Sequence, residues 1–303
     1  MNRESRGPGQ TITLPDGRQF GYLVIGEGKP VVYIHGFPEC RLEALFLKEI
    51  ADSRHIQIIG VDRPGFGLST FAPDRRVSDF AADISALADH LGIDNFALAG
   101  WSMGAHYATV CAALLAKRLT CAVAISGFDL PVDTSGMKTA DRVGFALGTM
   151  PFVGRFVGPW LAKANRSMYL RMAQDPDAFF QSREGRNYLK GQSRDEVDFH
   201  ILPSENRDIL FRSFMEALRQ EHDSVRSIIQ ELRLVKRGWD SDLSLIPSGL
   251  LHIWHGTADT YARETNAYRK ARAIPGAHLK LFEDVGHYFW LNHLEELCEL
   301  LSS

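Results

Sequence analysis

An α/β fold, an eight-stranded and mostly parallel sheet flanked by helices, is predicted for this sequence of 303 residues by three observations. Short apolar runs of strand length alternate with helix-compatible stretches at both ends of the chain, the order expected of parallel strands joined by helical crossovers. Asp16-Gly17 stands between the first two runs as a two-residue hairpin signal, so the sheet begins antiparallel. From about residue 130 to 241 the strand signal disappears, and helical segments separated by Pro151, Gly158-Pro159, Pro176, Gly191 and Pro203 take over.

Taken in order, the strands fall at about residues 11–14, 18–25, 30–35, 56–61, 96–101, 121–126, 249–255 and 278–283. Phe96-Ala97-Leu98-Ala99 is apolar without alternation, as a strand covered on both faces must be. Helices are expected near 41–52, 78–91, 103–117, 262–273 and 290–301. The core is therefore assembled from residues 1–129 and 242–303, with 130–241 inserted as a helical cap or lid. Phe152, Phe156, Trp160, Met168 and Tyr169 give that insertion residues suited to wall an apolar pocket.

Composition narrows the function. A hydrophobic content of 45% suffices for a large core, and a net charge of −3 without a long basic run argues against nucleic acid or an anionic membrane surface as partner. The segment Met1 to Gln10 is polar, and no run approaches the roughly 18 apolar residues that span a bilayer. A cytoplasmic protein without membrane insertion, monomer or homodimer, is the expectation. The four cysteines, at 40, 111, 121 and 298, lack C-x-x-C spacing and read as reduced thiols, with Cys40 near a candidate pocket loop.

The chemistry centres on Gly100-Trp101-Ser102-Met103-Gly104, a small-x-Ser-x-small turn between the fifth strand and a helix. Such a corner projects the hydroxyl from the sheet edge with a helix amino terminus behind it. A serine needs a base to take its proton and a carboxylate to orient that base. Asp259 follows the strand ending at His255, and His287 follows the last strand, so strand-end loops offer serine, acid and histidine in that chain order. Asp129, after the sixth strand, is the rival acid. Trp101 is placed as a wall beside the nucleophile, and His106, one turn along the helix from Ser102, as a second substrate contact.

Two other sites are discounted. Gly65-Phe66-Gly67-Leu68-Ser69-Thr70 lacks the third glycine of a dinucleotide loop, and Pro73 opposes the helix such a loop needs, so no cofactor is expected. His252 and His255 lie three apart on a strand and point to opposite faces, so no metal site is expected there.

With His35-Gly36-Phe37-Pro38 after the third strand and Asp62-Arg63-Pro64-Gly65-Phe66-Gly67 after the fourth, the chain resembles the α/β-hydrolase superfamily. The resemblance implies the α/β-hydrolase fold and a cap after the sixth strand. It also implies an oxyanion hole built from the backbone N–H groups of Phe37 and Met103. A proline usual a few residues after the acid is replaced by Tyr261-Ala262. His35-Gly36-Phe37-Pro38-Glu39 is especially similar to the corresponding loop of epoxide hydrolases, but those attack carbon through an aspartate where Ser102 stands. Hydrolysis of a small to medium carboxylic ester or related acyl compound through an acyl-enzyme (EC 3.1.1) is the activity implied. Amide, lactone, carbon–carbon or peracid chemistry on the same scaffold stays open, as does a non-catalytic ligand receptor.

Overall fold

The computed structural model describes residues 8–132, 139–150, 152, 154–192 and 204–303. Eight strands form one sheet: β1 (Gln10–Thr13), β2 (Gln19–Ile25), β3 (Lys29–Ile34), β4 (Ile56–Val61), β5 (Phe96–Trp101), β6 (Leu119–Ile125), β7 (Leu251–Gly256) and β8 (His278–Phe282). Their spatial order is β1-β2-β4-β3-β5-β6-β7-β8. β2 pairs antiparallel with β1 and β4, and every other neighbouring pair is parallel, as the hairpin signal and the helical crossovers predict. All six residues of β5 are buried, the continuous apolar run of a central strand.

Alternation along the strands divides the core between the two faces of the sheet. Val32, Ile34 and Leu98 join a cluster with α2 (Phe80–His90), α3 (Gly104–Leu114) and Ala267 and Ile274 around α10 (Glu264–Ala273). Val31, Tyr33 and Trp101 face the other way, onto Trp290 and onto Leu297 and Leu301 of α11 (Leu294–Ser302). The expected helix at 41–52 divides into a 3-10 segment, Arg41–Leu47, and a short α1 (Lys48–Arg54). Arg41, Leu42, Glu43 and Ala44 are all buried, so this stretch has no exposed face for an amphipathic α-helix to present.

Between β6 and β7 the described residues hold α4 (Thr139–Thr149), α5 (Gly154–Gln174), α6 (Pro176–Gln181), α7 (Arg183–Gln192), α8 (Ser204–Ala217) and α9 (Glu221–Arg237). Residues 1–7 and the breaks expected at Pro151 and Pro203 lie outside the described residues. Pro176 opens α6 as predicted, whereas α5 runs through Gly158-Pro159, losing one backbone donor from its ladder without ending. Gly191 lies within the last turn of α7. Phe152, in the turn before α5, and Phe156 and Trp160, one turn apart on its outer face, were expected to face inward but are 82%, 72% and 69% exposed. Met168 and Tyr169 pack inward against the second cluster.

Two buried charge networks tie this insertion to the sheet. Asp62, at the end of β4, accepts from the Arg41 backbone N–H (2.7 Å) and pairs with its guanidinium (2.9 Å), which also reaches Glu216 of α8 (3.0 Å). Glu231 of α9 pairs with Arg63 (2.7 Å) and Arg75 and accepts the Tyr107 hydroxyl (2.8 Å). Burial alone would raise the Glu231 pKa, but the two guanidinium charges hold it below the ordinary value.

The loop after β3 is held from both sides. Arg63 donates to the Gly36 carbonyl (2.8 Å), and His35, kept neutral by burial, donates through Nδ1 to the same oxygen (2.7 Å) while its Nε2 accepts the Arg63 N–H (3.0 Å). Glu43 takes the Gly36 N–H (3.0 Å) and the Tyr33 hydroxyl, and the carboxyl of Glu39 is buried beside it. Burial pushes Glu43 up to about 8.

Removing the shared anion strands two buried arginines, so Glu231→Ala is expected to lower stability by about 3–5 kcal/mol in urea denaturation. Loss of an exposed pair such as Lys48–Asp52 should cost under about 1 kcal/mol. The folded chain keeps the Glu43 proton to about pH 8, whereas the unfolded chain releases it near the ordinary 4.5. This group therefore makes stability fall as pH rises between those values. Glu43→Gln, which preserves an acceptor for Gly36, is expected to flatten that decline in thermal midpoints measured from pH 4 to 9.

Candidate active site

Ser102 sits on the corner between β5 and α3 with φ +54°, a left-handed backbone that a non-glycine residue adopts only at a cost of about 1–2 kcal/mol. Its N–H is secured by the Ile125 carbonyl (2.8 Å), and its own carbonyl accepts from Ala105 (3.1 Å). The turn is tight enough that a Cβ on Gly100 would lie 2.3 Å from the Gly104 oxygen, and one on Gly104 2.1 Å from the Ile34 oxygen. Those two positions are therefore closed to any larger residue, which is what the small-x-Ser-x-small pattern encodes.

The histidine loop is anchored to this corner. Trp101, the residue before Ser102, donates its indole N–H to the His287 carbonyl (3.1 Å), and Ser126, at the end of β6, donates to the same oxygen (3.3 Å). The Trp101 and His287 rings lie 5.0 Å apart. Trp101 is 2% exposed, and its described contacts support the His287 loop. His287 Nδ1 meets Asp259 Oδ2 at 2.7 Å, and both residues are buried. The other carboxylate oxygen of Asp259 accepts from the backbone N–H groups of Tyr261 (2.8 Å) and Ala262 (2.9 Å).

The rival carboxylate is engaged elsewhere. Asp129 Oδ1 accepts from the Trp239 indole (3.0 Å) and the Leu130 N–H (3.0 Å), locking the return of the helical insertion onto the end of β6. His106 lies near Asp129's neighbour, its ring stacked 5.8 Å from Phe128 and edge-on to Trp239 at 6.0 Å, and is 1% exposed. Burial pushes its pKa down, with Lys270 and Arg63 adding to the shift. The structure thus places His106 in a buried seam below the corner. Cys40 is fully buried, its N–H bound to Ser213 (2.9 Å), and burial drives its thiol pKa up, so its surroundings are those of a core residue.

Phe37 and Met103, the expected oxyanion donors, lie on the loop after β3 and at the start of α3. Neither backbone N–H has an acceptor among the described residues. Both loops leave adjacent parallel strands, β3 and β5, whose residues Ile34 and Gly100 are in register. Phe37 packs edge-on against Phe66, 6.1 Å between centroids.

Three participants were not singled out from sequence. Tyr261 stacks on the His287 ring at 4.9 Å, Ser126 holds the His287 carbonyl, and His255 lies with Nε2 3.7 Å from Asp259 Oδ2. Burial lowers the His255 pKa, and the same nitrogen is bound to the Ala262 carbonyl. His255 ends β7 four residues before the acid, a position from which its proximity was legible. Tyr261 was visible only as a departure from the usual proline.

A profile of the alpha/beta hydrolase family matches residues 31–300. The (E)-2-((N-methylformamido)methylene)succinate hydrolase of Acinetobacter baylyi is 35% identical over 96 residues, 31% of this chain and 36% of that protein. A non-heme haloperoxidase of Rhodococcus erythropolis is 32% identical over 98 residues, 31% of this chain and 34% of that protein. The chain spans about a third of the length of these curated relatives. A thermophilic esterase from Thermogutta terrifontis superposes with a TM-score of 0.64 at 20% identity, over 98% of this chain and 97% of that one, a likeness of fold. With the family profile running from β3 into α11, the chain belongs to the alpha/beta hydrolase family.

Proposed function

We propose that this protein is a serine hydrolase that cleaves a small to medium carboxylic ester or related acyl compound through an acyl-enzyme. The observation that carries the reading is the 2.7 Å contact between Asp259 and His287, in a loop whose carbonyl is held by the residue next to Ser102. Asp259 keeps the proton of His287 on Nδ1, so that Nε2 acts as the base.

In this mechanism Ser102 Oγ attacks the substrate carbonyl carbon as His287 Nε2 takes its proton. The oxyanion that forms is met by the N–H groups of Phe37 and Met103, a pair whose single-member loss costs about 3–4 kcal/mol of barrier in such sites. Collapse expels the alcohol, which receives the proton from His287. Water, deprotonated by the same nitrogen, then attacks the acyl carbon, and Ser102 leaves with its proton restored. Residues 130–241 serve as the lid over this site and set the size of the acyl group accepted.

A second reading, hydrolysis of a bond other than an ester, is favoured by the Acinetobacter baylyi relative, named as a hydrolase of a methylformamido-substituted succinate. The same attack on an amide-like carbonyl would require His287 to protonate a nitrogen leaving group.

A panel of p-nitrophenyl esters of increasing chain length tests the proposal. Wild type should turn over the shorter members, and Ser102→Ala should reduce kcat by about 10³-fold or more. Equal and negligible rates in both would point to a ligand receptor. Asp259→Asn should cost about 10²–10⁴-fold in kcat through the wrong imidazole tautomer, while Asp129→Asn should mainly lower stability. The reverse ranking would reassign the acid.

A further inference from the structure

A concave site that does not include Ser102 in its lining lies along the seam between the core and the helical insertion. It is a groove of about 340 Å³, and none of Ser102, Asp259, His287, Phe37 or Met103 lines it. One wall is a single face of α9, where Arg226, Gln230, Arg233 and Arg237 recur at spacings of four, three and four residues. The facing wall comes from the loop before α2, with Phe71, Asp74 and Arg75, and from Pro159 of α5.

The charges in the groove are unevenly satisfied. Arg75 is almost fully buried, with its two terminal nitrogens engaged by Tyr107 and Glu231, but its Nε has no hydrogen-bond partner. The Gln230 amide nitrogen is also buried without a partner. Arg226 lies 4.0 Å over the Phe71 ring and 3.6 Å from Asp223. Arg233 and Arg237, one turn apart, have no ion pair among the described residues, and Asp74 is the one carboxylate in the lining. Two like charges on neighbouring turns repel each other, and a dianion between them would relieve that repulsion while taking up the spare amide donor. Guanidinium groups present paired N–H donors that match phosphate oxygens in geometry as well as charge.

We infer that this groove is a binding site for a phosphate-bearing anion, recognised by Arg233 and Arg237 with Gln230 and Arg226 at its edges. The phosphate can be that of a free small molecule or of a lipid headgroup. Phe156 and Trp160, exposed on either side of Pro159 in α5, give the second source an apolar surface beside the groove. The site does not depend on the chemistry proposed for Ser102. Because it joins the loop before α2 to α9, a bound anion would fasten the insertion to the core, raising the thermal midpoint by mass action.

The test uses the full chain at constant ionic strength, with chloride as the balancing anion. Inorganic phosphate, titrated calorimetrically, should bind saturably and raise the thermal midpoint, and Arg233→Gln/Arg237→Gln should weaken binding at least about tenfold while leaving its phosphate-free midpoint near that of wild type. In a second arm, phosphatidylcholine vesicles with and without phosphatidic acid are floated with each protein. Retention that requires phosphatidic acid and is lost in the double variant assigns the site to a lipid headgroup; phosphate binding alone assigns it to a free ligand. If neither probe binds wild type, or if the double variant binds either as well as wild type does, the inference is overturned. Should the double variant unfold, Arg237→Gln at the exposed end of α9 replaces it under the same criteria.

Discussion

The left-handed backbone at Ser102 is the constraint on which the rest of the candidate site depends. It turns the chain from β5 into α3 within two residues, Ser102 and Met103, and so brings the first turn of α3 against the end of β3. The strain is local, and it is held by neighbours that are themselves fixed. Ile125 of β6 takes the Ser102 N–H, and β6 is a central strand paired on both sides. A corner of this kind is stable only where the sheet around it cannot shift, which is why it occurs on a fully buried strand.

Charge buried in the seam makes the helical insertion part of the same framework. Arg63 touches both Glu231 of α9 and the Gly36 carbonyl beside Phe37, so a displacement of α9 would be transmitted to the candidate oxyanion loop through one side chain. Arg41 performs the matching role between Asp62 and Glu216 of α8. Burying such pairs adds little net stability over apolar packing, but a mispaired alternative leaves bare charge in the interior. The networks therefore select one placement of α8 and α9 over the sheet more strongly than the apolar contacts alone.

Much of this was legible in the sequence because it follows from short-range rules. The strand positions came from apolar runs, the antiparallel start from Asp16-Gly17, and the location of Ser102, Asp259 and His287 from their places after strands. What the sequence did not disclose depends on which way a helix is rotated. Phe156 and Trp160 read as pocket residues by composition, yet α5 turns them outward, a choice made by contacts with α8 and α9 that no local pattern records. The surroundings of Trp101 and His106 also depend on tertiary packing. The alternation of β5 sends Trp101 to the opposite sheet face from Leu98, beneath His287, while Phe128 and Trp239 enclose His106.

The Asp259 loop shows how a departure from a common pattern can be absorbed. A proline after Asp259 would set the backbone by its fixed φ. Here Asp259 sets the turn with its own side chain, accepting the N–H groups of Tyr261 and Ala262 on one oxygen. That leaves the second oxygen directed at His287, and Tyr261, occupying the position next in the turn, lays its ring against the imidazole. The carboxylate thus orients two things at once, its own loop and the His287 ring. His287 is also fixed from behind by Trp101 and Ser126 through its carbonyl. Since those anchors are side chains from the corner and from β6, the relation between His287 and the Ser102 turn is set by the sheet itself and needs no bound substrate to create it.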